Sequence, residues 1–581
     1  MPDQNGNLPE KKKEREMALA EERRSILALP PEKALDGILN HPYPVTLVQS
    51  MAEEDLFMLV HSIGVDDALE VLGLASNQQW EYFLDMQTWA QDRVDTHAMT
   101  EWWNRLLKAD PDRFTHWIVQ EQREALDYYL FRNVELVVRE YDQDPAEIGD
   151  GFNTEDDVHF TRMRPYADLD ENHQQHQELR DQFLGDLLRR MSIYDYPLYL
   201  ALLLESSTII PGEAEEELLR LRNVRLAEKG FLPFEEAVGI YQPLKAADLA
   251  KRGRKAPELS GRPVESYPLR VDPADLPPDA NHFLRTLAQI RDEFTLTRLQ
   301  AEFAGLCNQL VSADQVAVRD KNTLAPVVAK VGHYISIGLE KAGREAGGDA
   351  PYHSANLMQN NLLADLFRVG FGCALDLKWR AERWRHRSWF SRSGLPLTFW
   401  GEVWLGVLGG LLIKKPLFFD NYAKGVLYRE FETLADVEKT ARVLDEIVAM
   451  DDLLSRMALE VGPVQSDTFV TCHNVLLTMW AAAYLRMDVP PVRPAVLSLD
   501  RFRQFFEELW VPGAKPRRIK DSMRAHFLSW LARRSGRPDY EIAERMGSTL
   551  EALFGMVEYE LGEVEVQDLE AHFIHMFLLC D

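Results

Sequence analysis

Residues 47–135 read as a run of short amphipathic helices rich in tryptophan, each opened by an acidic or capping cluster. Units this short cannot bury an apolar stripe alone and must stack on their neighbours. In AEEDLFMLVHSIG, Leu56, Leu59 and Val60 share a face, Glu53, Glu54 and Asp55 sit at the positive helix start, and Gly64 ends the unit. VDDALEVLGLA repeats the plan with Asp66 and Asp67 ahead of Leu69, Leu72 and Leu74. Ser76 and Gln79 have capping-box spacing before Trp80, Phe83 and Leu84. Asp95 or Thr96 caps a helix carrying Met99, Trp102, Trp103, Leu106 and Leu107, and Asp110 with Pro111 forms an N-cap and N1 pair. A longer helix is expected over 121–139, with Leu126, Leu130, Val134 and Val137 on its apolar side. The pattern predicts a mostly α chain with a solenoid-like helical-repeat lobe at 25–141. The rival arrangement is an irregular bundle, because the unit lengths drift from a fixed period.

The chain has 581 residues, too many for one core. Residues 1–24 mix charges of both signs and read as a flexible tail. Residues 142–241 form an acidic insertion with a short strand or hairpin in DDVHFTRMRPY, followed by helices. Residues 242–280 are a basic, proline-rich linker, and 281–581 a larger helical domain. That domain is expected to include helices over 282–314, 356–387 and 566–579.

The net charge of −28 repels polyanions at long range, so nucleic-acid binding by the whole chain is not expected. Cys307, Cys373, Cys472 and Cys580 form no CxxC pair, which suits a reducing compartment. The first residues contain no apolar signal core. The apolar stretches 399–413 and 468–485 are interrupted by Glu402 and by His473 with Asn474, and read as buried core helices. No membrane span and a cytoplasmic location are therefore expected.

The stretches LVQSMAEEDLFMLVHSIGVDDALEVLGLAS, FLPFEEAVGIYQPL, KKPLFFDNY and YREFETLADVEKT resemble a family of uncharacterised, all-helical bacterial proteins of unknown function. The resemblance covers most of the chain and implies no activity. Residues 47–135 are also similar to the acidic helical-repeat N domain of one class of magnesium transporters. The membrane region and the nucleotide-sensor pair of that class have no counterpart here, so transport is not carried over.

Catalytic signatures fail on their chemistry. Gly401 and Gly406 have phosphate-loop spacing, but Val407 stands where the lysine is needed. Gly338 and Gly343 fail at Arg344 and Glu345 in the same way. Cys472 and His473 are neighbours on a helix and point about 100° apart, which does not make a thiolate–imidazolium pair. Asp142, Asp144, Asp150, Asp156 and Asp157 lack calcium-loop order. His173 and His176 read as a solvated face. His572 and His575, three apart on the expected terminal helix, are the weak metal candidates, with no further ligands at metal-site spacing.

One segment stands out. LKWRAERWRHRSWFSRSG, residues 377–394, interleaves Lys378, Arg380, Arg383, Arg385, Arg387 and Arg392 with Trp379, Trp384 and Trp389. In a helix Arg380, Arg383 and Arg387 share a face, and arginine beside aromatics suits recognition of acidic surfaces or phosphates. Arg380, Arg383, Arg387 and Trp384 are the partner-binding candidates. The competing reading pairs the arginines with the chain's own carboxylates and puts the tryptophans in the core. A second basic strip, KPRRIKDSMR at 515–524, could extend the patch.

The expected function is a non-catalytic cytoplasmic scaffold or protein-interaction protein, without catalytic residues, metal or cofactor. The first alternative is an enzyme with a C-terminal pocket drawing on His333, His353, His473, His572 and His575. The second is polyanion or nucleic-acid binding through 377–394.

Overall fold

A computed structural model describes residues 8–154, 156–165, 171–228, 231–252, 281–318, 321–347, 351–461, 470–488, 494 and 496–580. Most of the expected linker, 253–280, and the first seven residues of the expected tail lie outside them. The chain is mostly α, with a few small sheets.

The expected caps at Ser76, Asp95 and Asp110 are present, whereas Asp66 and Asp67 do not cap their unit, which starts at Leu69 after Ala68. Ser76 Oγ accepts the Gln79 N–H at 3.2 Å, and Gln79 Oε1 accepts the Ser76 N–H at 2.7 Å, opening helix Asn77–Gln87. Gln79 also donates through Nε2 to the carbonyls of Val48 and Met51, at 2.9 and 3.0 Å, tying two earlier units to this one. Asp110 caps helix Pro111–Gln120. Gly64 closes helix Glu53–Ile63 with φ +111°, which a residue with a Cβ would adopt only under strain.

The tryptophans face inward. Trp80, Trp103 and Trp117 are fully buried, and each stabilises the fold by about 4–6 kcal/mol if some 150–250 Å² leaves water. Trp80 donates its indole N–H to the Leu72 carbonyl at 2.8 Å, and the Arg113 guanidinium lies 3.9 Å from its ring. Phe183 of helix Glu171–Tyr194 packs on Trp103, Phe114 and Tyr129 at centroid distances of 6.4, 6.5 and 6.1 Å. The lobe is thus closed from outside by a later helix. None of the exposed large apolar side chains falls within 47–135.

The helix expected over 121–139 stops at Asn133. Val134–Val138 continues as a strand, antiparallel to His159–Met163, which also pairs with Asn153–Thr154. The three valines of the run Val-Glu-Leu-Val-Val favour the pleated surface, and its pairing is worth more than another helical turn. Asp156, in the acidic stretch, accepts the Val158 and His159 N–H groups at 3.0 and 2.7 Å and holds the turn between strands.

Among the described residues, an apolar cluster extends from Ile26 to Leu579. In the C-terminal half, helix Lys321–Glu345 crosses helix Leu363–Arg387 at two glycines. A Cβ on Gly370 would stand 1.9 Å from the Tyr334 carbonyl oxygen, and one on Gly338 2.0 Å from that of Leu366. The two backbones touch, and side-chain ridges cannot intervene. Helix Leu434–Arg456 runs in the same direction as Leu363–Arg387. Arg380 meets Asp445, and Trp389 and Phe390, just past the helix end, meet Asp451.

The terminal segment is not the helix expected over 566–579. It forms two short 3₁₀ turns, Val566–Asp568 and Ala571–Phe573, and a strand, Leu579–Cys580, parallel to Leu497–Ser498. Phe577, Leu578 and Leu579 are consecutive and all buried, which an extended segment in a groove satisfies and a one-faced helix does not. Among the described residues, no helix is long and apolar enough to cross a membrane.

Candidate functional site

The arginine segment occupies the last three turns of helix Leu363–Arg387 and the short helix Trp389–Arg392. Two of its tryptophans, Trp384 and Trp389, part from the arginines, while Trp379 is 37% exposed. Trp384 is 8% exposed and packs against Phe390 and Trp400 at 6.1 and 5.6 Å. It fills the core and is not presented to a partner. Trp389 is buried too, and its indole N–H donates to the Leu459 carbonyl at 3.2 Å. Asp451 accepts the backbone N–H groups of Trp389 and Phe390, at 3.2 and 2.9 Å, which fixes the turn that follows the helix.

Arg380 is taken by Asp445, and Lys378 by the Ile413 carbonyl and Glu382. Arg383, Arg385, Arg387 and Arg392 are exposed and form no ion pair among the described residues. Three of the four lie in the final turns of a helix, whose negative end favours cations. Asp452, two turns beyond Asp445 on the same helix face, collects Arg456 at 3.3 Å, Arg545 at 3.6 Å and Arg537. The strip 515–524 does not join this group. Arg517 pairs with Glu565, and Arg524 with Glu551 and Glu558, at the far end of the hairpin formed by helices Asp521–Ser535 and Asp539–Leu561 from Arg537.

A second constellation, absent from the sequence-based candidates, lies inside the C-terminal half. Lys330 is almost wholly buried on helix Lys321–Glu345, with Asp314 at 3.0 Å and Glu430 at 2.7 Å. Tyr241 and Lys415 both bond to Asp314, and both lysine ammonium groups face the Tyr241 ring, at 5.2 and 4.3 Å. Tyr334, one turn after Lys330, donates to Glu430 at 2.8 Å. Next to this cluster, Arg429 grips Asp420 at 2.8 Å and Asp436 at 2.9 Å. Three of the stretches that carry the family resemblance meet here, through Tyr241, Lys415 with Asp420, and Arg429 with Glu430 and Asp436.

Two carboxylates and two ammonium groups cancel, and Lys415 also donates to the Ala313 carbonyl at 3.5 Å. Burial opposes the charge on Asp314, but its two lysines and Tyr241 prevail and hold its pKa below the usual carboxylate value. Burial likewise opposes charge on Lys330, and Glu430 with Asp314 lift its pKa above the ordinary value. Burial, reinforced by Asp314, drives the Tyr241 phenol far up. All three therefore move away from neutrality, the opposite of what a general acid or base requires. The arrangement is chemically a staple.

The histidines are spread over four elements: His333, His353 and His473 lie on three different helices, and His572 and His575 at exposed positions of the terminal segment. Asn474, next to His473, donates to the His575 carbonyl at 3.3 Å. Burial pulls His473 down to about 4, so it is a neutral ring beneath Gly401 and Trp404, 5.3 Å from the latter. His572 and His575 share no helix, which removes the geometric basis for a metal between them. No group of three metal-binding side chains exists among the described residues. Cys472 is buried and its pKa raised by burial; all four cysteines are free. His176 lies 3.7 Å from Glu101; the His173 side chain is outside the described residues.

Burial raises several carboxylates, namely Glu81, Asp85, Asp127, Asp451 and Glu560. Burial raises Asp127 to about 6, against the pull of Arg123 at 3.9 Å, with Glu205 and Glu124 adding repulsion. Its Oδ1 has no hydrogen-bond partner. A folded pKa above the unfolded one means the folded state binds more protons between 3.8 and about 6, so stability falls as pH rises through that window. Asp127→Asn is expected to stabilise the protein at pH 7 by about 1–2 kcal/mol and to flatten this part of the profile. Urea unfolding at pH 4.5 and 7 checks it; equal destabilisation at both values refutes it.

The fold and the two constellations define a mostly helical chain with a neutralised, buried ion staple and a cationic helix end. The chain belongs to the family of unknown function DUF6178, whose model matches residues 11–580. No curated protein and no solved structure matches it, and nothing links residues 47–135 to magnesium transporters.

Proposed function

We propose that this protein is a non-catalytic interaction protein that engages an acidic protein surface through Arg383, Arg385, Arg387 and Arg392. One observation carries the reading. In a chain of net charge −28, these four arginines are exposed and form no ion pair among the described residues. Neighbouring Arg380 and the arginines around Asp452 are neutralised internally. Guanidinium groups presented this way match carboxylates in a bidentate fashion. The staple at Lys330 supports a non-catalytic role, since its groups are held in their resting charge states. The closed N-terminal lobe, lacking exposed large apolar side chains over 47–135, shifts the contact surface to the C-terminal half. Four free cysteines accord with a cytoplasmic setting.

The test uses poly-L-glutamate as the probe, with a DNA duplex beside it. The double variant Arg383→Ala, Arg387→Ala is expected to weaken poly-L-glutamate binding about tenfold, as two contacts near 0.7 kcal/mol each imply, and to reduce its salt dependence. Binding that is undetectable at low salt, or unchanged in the variant, refutes the reading. Preference for DNA would instead favour a polyanion-binding role. Co-purification from the native host then identifies the partner, which the variant should fail to retain.

A further inference from the structure

An open groove of about 630 Å³ lies between the first turn of helix Gly401–Leu412, the outer face of helix Asp539–Leu561 and the terminal segment around His575. Ala552, Gly555, Met556 and Tyr559 form one wall, and Met576 the other. Two of its lining apolar side chains are themselves exposed, Met556 at 39% and Tyr559 at 94%, one turn apart on the same helix. Isolated exposed apolar residues are ordinary, but neighbours that line one depression mark an interaction surface.

Its charge is one-sided. Among the lining residues the carboxylates are Glu402 and Glu560, and no lysine or arginine is present. Glu402 has no ion pair among the described residues. Glu560 also builds the groove. Its carboxylate accepts the backbone N–H groups of His575 and Met576, the second at 3.0 Å, and so holds the terminal segment against the helix. The depression is therefore preformed, which lowers the ordering cost of binding. Above Gly555 the space is empty, since a Cβ built there meets nothing within 4 Å.

We infer that this groove docks an amphipathic helical segment of a partner protein, one with lysine or arginine beside its apolar anchors. Anchors repeating at i, i+3 and i+7 would lie along Met556, Tyr559 and Met576, and methionine side chains adapt to different anchor shapes. Flanking cations would meet Glu402 and Glu560. The net charge of −28 steers a basic segment inward. The occupant is opposite in charge to the one proposed for the arginine end, so the two surfaces select different partners and a single chain can bridge them.

The test measures fluorescence anisotropy of a labelled Leu/Lys amphipathic peptide with the full chain, beside a Leu/Glu peptide of the same apolar pattern. Gly555→Gln fills the groove without touching the interior and improves helix propensity, so its fold should persist by circular dichroism. It is expected to raise the Leu/Lys dissociation constant at least tenfold. Glu402→Gln should raise it a few-fold and weaken its salt dependence. Arg383→Ala with Arg387→Ala should leave it unchanged, which separates this result from that of the arginine end. Wild-type affinity in Gly555→Gln overturns the inference, as does equal binding of the Leu/Glu peptide. A lysophosphatidylcholine response that Gly555→Gln abolishes, with the peptide silent, also overturns it and assigns the groove to a lipid.

Discussion

Gly370→Ala is expected to destabilise the protein by about 3 kcal/mol or more, near the upper end for overpacking a core. The added methyl would stand 1.9 Å from the Tyr334 carbonyl oxygen, a backbone atom that cannot rotate away. Relief requires helices Lys321–Glu345 and Leu363–Arg387 to separate along their whole contact, which also strains the stacked rings of Phe367 and Phe371 against Tyr334. Gly338→Ala should behave alike, with its Cβ 2.0 Å from the Leu366 carbonyl oxygen. Gly305→Ala is the control. It lies on helix Glu293–Asp314 with nothing within 4 Å of the added carbon, and should be neutral or stabilising by about 0.5–1 kcal/mol. Urea midpoints of the three variants decide the matter; a Gly370→Ala midpoint equal to that of Gly305→Ala is incompatible with the close crossing.

Lys330→Met is expected to cost about 3 kcal/mol near neutral pH, because it strands Glu430 and weakens the neutralisation of Asp314 inside the protein. The pH dependence follows from the two shifts. Asp314 has a depressed folded pKa, so its contribution is present above the ordinary value of 3.8 and lost as pH falls through the folded value. Lys330 has a raised one, so its contribution is complete below the ordinary value of 10.5 and lost as pH rises past the folded value. The gap between wild type and variant should therefore be widest on the plateau between, and narrow at both extremes. A gap that stays constant from acid to alkali would show that methionine costs stability through packing alone.

Local signals proved legible where the chemistry is local. Ser76 with Gln79, Asp110 with Pro111 and Gly64 each report their helix end within a few residues, and the structure has all three. The boundary at Asn133 was misjudged because Val134 and Val137 suit either period, and only pairing with His159–Met163 decides between them. The terminal segment misled for a similar reason: Leu579–Cys580 depends on a partner strand some eighty residues earlier. In the 377–394 segment, residue types indicated an amphipathic cationic helix, but which arginines remain exposed depends on Asp445, Asp451 and Asp452 on another helix. Lys330 did leave a trace. It interrupts the buried stripe of Val327, Val331 and Tyr334, where a lysine must find carboxylates. The crossing glycines left none, since a helical glycine reads as a mild defect until the facing backbone is known.

The glycine crossing also bears on how the cationic end would meet the partner proposed for it. Helix Leu363–Arg387 is pinned at Gly370, near its first third, and clamped again by Arg380 on Asp445 and by Asp451 on the turn beyond. A rod held at three points along its length has little freedom to tilt. Its arginines are presented on a helix, so the proposed association would order mainly side-chain tips and would not carry the entropic penalty of shaping a loop around the partner. The same rod has Tyr334 at its fulcrum, bonded to Glu430 in the lysine staple. Leverage applied at the exposed end would thereby be resisted by a buried ion cluster.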